Sequence, residues 1–390
     1  MQILVYVILF LLFSGLKSIN ILQGVFAHPV FIFSITLVGG YLLNRAEGIC
    51  KVNFEKQEFH YENLDFMRYL CALIIVIMHL RPYLNEIDML DLLFNNIISR
   101  ICVPFFFIVS GYFVARKSKE QSDYLRKYIK GMIPCYIFWS IVYIPLGLSY
   151  IQELGIPVVL FPVALLIGFL YFGTYYHLWY FPALFLSLIL VRFWCKRFSI
   201  KSLLLVAFVL LCLGASETYY GMLPEGIQHF FTTYYFNIFY TTRNFLFFGL
   251  FYVALGCFLG SRKRKYVAYS GLLFVLSSVL LVIEVLVLQG FERLDSNIMF
   301  ACIPMVYSMF HFLIYFKEIC PLRFRYSYRD LSKYYYFIHP LLIFIFLGLS
   351  SLYGSIEHGH LRALIIIVLV HFSANGLILL KRKFPKLPIG

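Results

Sequence analysis

The chain has 390 residues, of which 62% are hydrophobic and only 13% charged, with a mean hydropathy of +0.83. Soluble globular chains are about 45–50% apolar and about 25% charged, so this chain cannot cover a water-facing surface, and it lacks the polar, highly charged make-up of disordered segments. The formal net charge of +14 would suggest nucleic acid in a soluble protein; here the bilayer is the expected partner, nucleic acid is not, and what matters is where the Lys and Arg lie.

A membrane-crossing helix needs about 20 mainly apolar residues. In chain order, a short run at 3–16 and a longer one at 27–44 come first. The run 3–16 resembles the apolar part of a secretory signal, but Met1 and Gln2 give it no basic flank, and it is short for a span. Residues 1–50 are expected to be a hydrophobic extension of one or two helices. Ten core runs follow, at 64–84, 98–115, 129–148, 177–194, 202–217, 244–260, 266–288, 298–316, 331–352 and 361–380. The expected fold is an all-α polytopic transmembrane helix bundle, with a membrane domain over 60–382 and a short basic cytoplasmic tail at 383–390.

Charge settles the ambiguous run at 157–173. Loops on the cytoplasmic side carry the Lys/Arg excess. The segment 116–130 holds Arg116, Lys117, Lys119, Arg126, Lys127 and Lys130 and is therefore placed inside. Alternating from there puts the basic segments 45–63, 192–201, 261–266 and 317–330 and the tail on the same side, against Arg81, Arg243, Arg293 and Arg362 on the other. The pattern holds if 157–173 does not cross, so this run, with Pro157, Pro162, Gly168 and Gly173, is expected to be re-entrant or interfacial. A true crossing with an unusual charge distribution is the alternative. The chain is placed in the cell (plasma or inner) membrane, with both ends of its core cytoplasmic.

The nine cysteines show neither close pairing nor clustered metal-ligand spacing, and most read as small buried hydrophobes. No metal site is expected.

Ionisable residues inside a bilayer are functional hypotheses by default, and here they are few. In LDFMRYLCALIIVIMHLRPYL, Arg68 and His79 are 11 residues apart. At 100° per residue they share one helix face, separated by about 16 Å along the axis. Asp65, three residues before Arg68, can pair with it. Snorkelling explains Arg68 alone, and packing explains His79 alone. Arg100 opens the second core helix, where Ser110 and Gly111 lie deeper. His177 and Trp179 open the fourth, Arg243 and Asn244 open a later one, and His339 precedes Pro340 mid-helix. The topology puts His79, Arg100, His177 and Arg243 in one half of the bilayer, as a shared polar cavity would require. Glu284, His311, His371 and Asn375 also lie within apolar runs and read as local hydrogen-bonding groups.

LDFMRYLCALIIVIMH resembles the first helix of the acyltransferase family 3 membrane proteins, with their Arg-x10-His signature. VPFFFIVSGYF resembles their second helix, IPCYIFW their third and HLWYFPALFL their fourth, while RNFLFFGLFYVALG and YFIHP resemble later ones. These segments occur in order from about 64 to 380. The resemblance implies an integral-membrane O-acyltransferase that moves an acyl group, usually acetyl, onto a hydroxyl of a glycan or related acceptor. Acetyl-CoA or another acyl-CoA would be the co-substrate, with no cofactor tightly bound. The family's Arg and His carry over to Arg68 and His79, and its second-helix Arg to Arg100. Residues 1–50 are a departure from the usual core. The extracellular hydrolase-like domain fused to some members is not seen in this sequence, so transfer is expected to finish within the membrane.

His79 and Arg68 are thus the expected catalytic residues. Asp65, Arg100, Ser110, His177, Trp179, Arg243, Asn244 and His339 are the expected substrate-binding ones. A polar stripe through a bundle also describes a transporter or flippase for a glycan or lipid-linked substrate, against which stand the lack of paired inverted halves and the scarcity of intramembrane acids. A non-catalytic scaffold or sensor is a third class.

Overall fold

The structure, a computed structural model, describes residues 61–80, 92–262, 270–315, 328–353 and 359–390. The expected extension at 1–50 lies outside these residues, as do Arg81 and parts of the basic loops at 261–266 and 317–330. All described elements are helical, with no strand among the described residues. Helix α1 is Tyr61–His79; α2, Ser99–Glu120, is entered through a π turn at Leu92–Ile98. Helices α3 (Tyr124–Val142) and α4 (Ile144–Glu153) meet at Tyr143 with a 59° bend. Then come α5 (Phe161–Ile167), α6 (Tyr180–Trp194), α7 (Ile200–Gly214), α8 (Glu225–Phe230) and α9 (Phe236–Phe239). The π turn Phe245–Gly249 leads into α10 (Leu250–Ser261), and α11 (Ser270–Leu288), α12 (Cys302–Tyr315), α13 (Tyr328–Tyr353) and α14 (Gly359–Lys383) complete the set.

Among the described residues five helices are long and apolar enough to cross a bilayer, or six with the bent α3–α4 pair taken as one span. The expected count of ten core helices is not confirmed among the described residues. Helix α1 carries Glu62, Asp65 and Arg68 within one stretch. Helices α6 and α12 have 15 and 14 residues, and α10 with its π turn, Phe245–Ser261, is likewise among the shorter apolar helices. The run at 157–173 becomes a 3-10 turn, α5 and a π turn over Val158–Phe172. At about 1.5 Å per residue that piece rises about 22 Å, short of a hydrocarbon core of about 30 Å.

The bundle is built on α2 against α10. A Cβ on Gly111 would strike the Val253 carbonyl, and one on Gly256 or Gly260 would strike the carbonyl of Ile108 or Tyr112. Gly256 and Gly260 form a G-x-x-x-G pair, the pattern that lets membrane helices touch backbone to backbone. Around this contact pack Phe105, Phe107, Ile108, Tyr252, Val253 and Ala254, all buried. A second cluster joins α1, α13 and α14 through Val76, Leu80, Tyr335, Ile366 and Val370. A third holds Trp139, Tyr143, Phe181 and Phe337 together. The outer faces stay apolar and exposed, as at Val159, Leu205 and Phe372, which suits lipid and not water.

Residues 384–390 do not extend freely. Ile389 is buried, and its carbonyl accepts the Trp139 indole N–H at 3.1 Å. Among the described cysteines none forms a disulfide; Cys71, Cys102, Cys135, Cys257 and Cys302 are buried, Cys195 and Cys212 exposed.

Candidate active site

Pro340 interrupts the hydrogen-bond ladder of α13, because it has no N–H and its ring crowds the carbonyl four residues back. The gap is filled from outside. The Tyr143 hydroxyl, fully buried at the α3–α4 bend, donates to the Phe337 carbonyl at 2.6 Å and accepts from the Leu341 N–H at 3.2 Å. An inserted side chain of this kind is a recognised cause of a helix distortion. It fixes the turn that carries His339.

His339 is fully buried. Its Nδ1 lies 2.8 Å from the Tyr335 carbonyl, and its Nε2 lies 2.9 Å from Nδ1 of His79, at the last turn of α1. A carbonyl only accepts, so Nδ1 of His339 carries the proton. With both rings neutral, Nε2 of His339 is then the acceptor and Nδ1–H of His79 the donor. The lone pair of the pair is left on Nε2 of His79. The rings stack at 4.9 Å, and Tyr176 flanks His79 at 5.0 Å.

His177 completes a group of three imidazoles, with its ring 5.7 Å from that of His339. It lies on the loop between Gly173 and α6. Gly173 has φ +80°, and a Cβ there would collide with Leu178 and the Trp179 nitrogen. The tight turn turns His177 inward, edge-on to Tyr143 at 4.6 Å. Tyr336 donates to the His177 carbonyl at 2.5 Å, yet neither ring nitrogen of His177 has a partner among the described residues. Buried polar atoms in that state are rare.

Arg68 and its neighbours form a separate group nearer the start of α1. Arg68 pairs with Asp65 at 2.8 Å, lies 5.5 Å from the Phe113 ring, and its carbonyl accepts from Ser332 at 3.1 Å. Ser110 and Tyr180 share a hydrogen bond at 3.1 Å. Tyr180 packs against Phe106, Phe107 and Tyr336.

Arg243 lines the same pocket as Tyr176, the ring that flanks His79, and its Nε is 3.3 Å from Asp295. Arg243, Trp179 and Tyr176 border a pocket of about 240 Å³, lined otherwise by residues such as Tyr150, Phe172 and Tyr240. Tyr240 has φ +60°, a left-handed conformation unusual for a bulky residue. Arg100 stands beside Asn297 at 3.4 Å. The Asn244 side chain is occupied as a helix cap: it accepts from the N–H groups of Leu246 and Phe247 and donates to the Thr241 carbonyl.

The structure thus brings His79, His339, His177 and Arg243 into one region and Arg68, Asp65 and Ser110 into another. Sequence reasoning missed Tyr143, Tyr176 and Tyr335. Tyr335 reaches further, to Nδ1 of His371 at 2.8 Å and to Tyr69 at 3.5 Å. Pro340 was the available signal for Tyr143, since a proline inside a buried helix calls for a substitute partner. Glu284 gains a role: it accepts from the N–H groups of Phe300 and Ala301 and from Tyr219, capping the entry to α12. Among the described residues no cluster of three or more His, Cys, Asp or Glu is arranged to hold a metal.

The family model described as an acyltransferase domain matches residues 61–374. The chain is 27% identical over 330 residues to an amino-acid racemase of Enterococcus faecalis, covering 82% of this chain and 46% of that protein. It is 27% identical over 317 residues to a serine/alanine racemase of Enterococcus gallinarum, covering 79% of this chain and 44% of that one. The chain therefore spans less than half the length of these relatives. No solved structure matches it.

Proposed function

The chain belongs to the acyltransferase domain family, whose model covers its membrane helices, and from that premise we propose that it transfers an acyl group, acetyl in the first instance, from acyl-CoA to a hydroxyl of a cell-surface glycan or related acceptor. The observation that carries this reading is the His79–His339 contact at 2.9 Å, with His339 held by the Tyr335 carbonyl. It leaves an oriented basic nitrogen where a hydroxyl can be deprotonated.

Nε2 of His79 takes the proton from the acceptor hydroxyl as its oxygen attacks the thioester carbonyl carbon. A tetrahedral oxyanion forms, and Arg243 is the nearby cation that offsets its charge. Collapse expels the CoA thiolate, which takes the proton back from His79. The products are the acyl ester and free CoA, and the base is regenerated. His339 acts on His79 as an orienting group: it fixes which nitrogen carries the hydrogen and which faces substrate.

Arg68 binds the donor. A guanidinium has five N–H groups, and the Asp65 contact is made through one nitrogen, so others remain for a phosphate oxygen. The distance from Arg68 to His79, about 16 Å along α1, is comparable with an extended pantetheine arm. The nucleotide would stay at the cytoplasmic face while the thioester reaches the imidazoles. The racemase names belong to relatives more than half of whose length lies outside the match, and no racemisation is assigned to these residues.

Purified protein given acetyl-CoA labelled in the acetyl group tests the reading. With envelope glycan present, label should move to glycan and CoA should appear in equal amount. Label that stays on CoA with every hydroxyl acceptor offered would rule it out.

A further inference from the structure

Three arginines come from different parts of the chain, and one of them, Arg243, borders the pocket. Arg100 comes from the first turn of α2, Arg243 from the turn before α10, and Arg293 from the loop joining α11 and α12. Arg100 lies within electrostatic range of both others and of Asp295. Asp295 pairs with Arg243, and Asn297 meets Arg100 at a long 3.4 Å. Glu217, a second carboxylate near Arg243, accepts the N–H and hydroxyl of Thr242 at 2.9 and 2.6 Å.

Several donors in this group are left over. Nε of Arg100, Nη1 of Arg293 and Nδ2 of Asn297 are buried with no partner among the described residues, and Nε of Arg243 faces Asp295 without hydrogen-bond alignment. Leftover donors on guanidinium forks match the paired oxygens of a carboxylate or phosphate. Arg243 also borders the pocket together with Tyr176, whose ring lies 5.0 Å from that of His79, so an acid group held here would lie near the reacting imidazole.

We infer that Arg100, Arg243, Arg293 and Asn297 form an anion site that holds a carboxylate or phosphate of the acceptor while the acceptor's hydroxyl lies at His79. This rests on the transferase reading above and narrows it: the acceptor is an acidic hydroxyl compound, and a neutral one is poorly held.

Equilibrium binding to the full chain in phosphatidylcholine nanodiscs, with labelled D-glucuronate, D-glucose 6-phosphate and D-glucose, tests it. At least one charged sugar should bind about tenfold or more tighter than glucose, and which one does so names the acid group. Arg293→Gln should abolish that preference and leave acetyl-CoA binding unchanged. Should this variant not accumulate, Arg293→Lys keeps the charge but loses the planar fork, and should weaken the preference at least several-fold. Equal binding of all three sugars, or a preference that survives both variants, would overturn the site. So would its loss in phosphatidylglycerol nanodiscs together with Arg293-dependent lipid retention, which would assign the arginines to a lipid headgroup. Charged-sugar preference without acyl transfer to any acceptor would sink the transferase reading and leave the site standing. Acyl transfer with no preference would do the opposite.

Discussion

Nδ1 of His79 faces Nε2 of His339 at 2.9 Å, and the other nitrogen of His339 is committed to the Tyr335 carbonyl at 2.8 Å. The two residues are 260 positions apart in sequence. One backbone carbonyl thereby fixes the tautomer of both rings, and the free lone pair falls on His79. In the proposed transfer His339 then has a positioning role, distinct from the base.

Replacing His339 should therefore reduce turnover through orientation. His339→Ala should lower kcat about 10- to 100-fold with little change in KM for acetyl-CoA, an effect smaller than loss of the base itself. His339→Gln keeps a donor for Tyr335 and an acceptor for His79, and should recover part of the loss. Steady-state kinetics of the two variants decide it; equal defects would argue that the ring fills space only.

Tyr143→Phe removes one hydroxyl and leaves two backbone groups unmade, the Phe337 carbonyl and the Leu341 N–H. An unsatisfied buried group costs about 1–3 kcal/mol, so melting in detergent should fall measurably. Turnover should fall with it, because the distorted turn carries His339. A variant that melts and turns over as wild type would show that the ladder closes without help.

At the α2–α10 contact, Gly256→Ala forces a methyl into the Ile108 carbonyl. Overpacking of this kind costs about 1–3 kcal/mol, and the protein should lose its monodisperse peak on heating earlier than wild type. Gly376→Ala on α14 is the control. A Cβ there meets nothing within 4 Å, and the gain in helix propensity of up to about 1 kcal/mol should leave stability equal or raised.

Glu284→Ala should destabilise α12 by about 1–3 kcal/mol, since the N–H groups of Phe300 and Ala301 and the Tyr219 hydroxyl all lose their acceptor. Hydrogen exchange at 298–304 should speed up locally. Unchanged protection there would remove the capping role.

How much of this was legible in the sequence depends on how local each feature is. The all-helical membrane fold follows from composition, and α1 with Arg68 and His79 follows from an 11-residue spacing that any helix respects. His339 was flagged by its mid-helix place beside Pro340, but its contact with His79 joins opposite ends of the domain, which no spacing reveals. Tyr143 was invisible as one of 31 tyrosines in a chain that is 20% aromatic. The count of ten core helices is not confirmed among the described residues: α6 and α12 are short, and α10 continues a π turn, which hydropathy does not register. Asn244 looked like a site residue because it is polar and intramembrane; its oxygen in fact serves two backbone N–H groups, a demand that exists only once the helix start is known.

The most direct test is the rate of acyl transfer by His79→Ala, measured on purified protein whose melting temperature matches wild type. The account predicts a loss of about 100-fold or more, as expected for removal of a general base, with acetyl-CoA still bound at wild-type affinity. Transfer at the wild-type rate by a folded His79→Ala protein would contradict it.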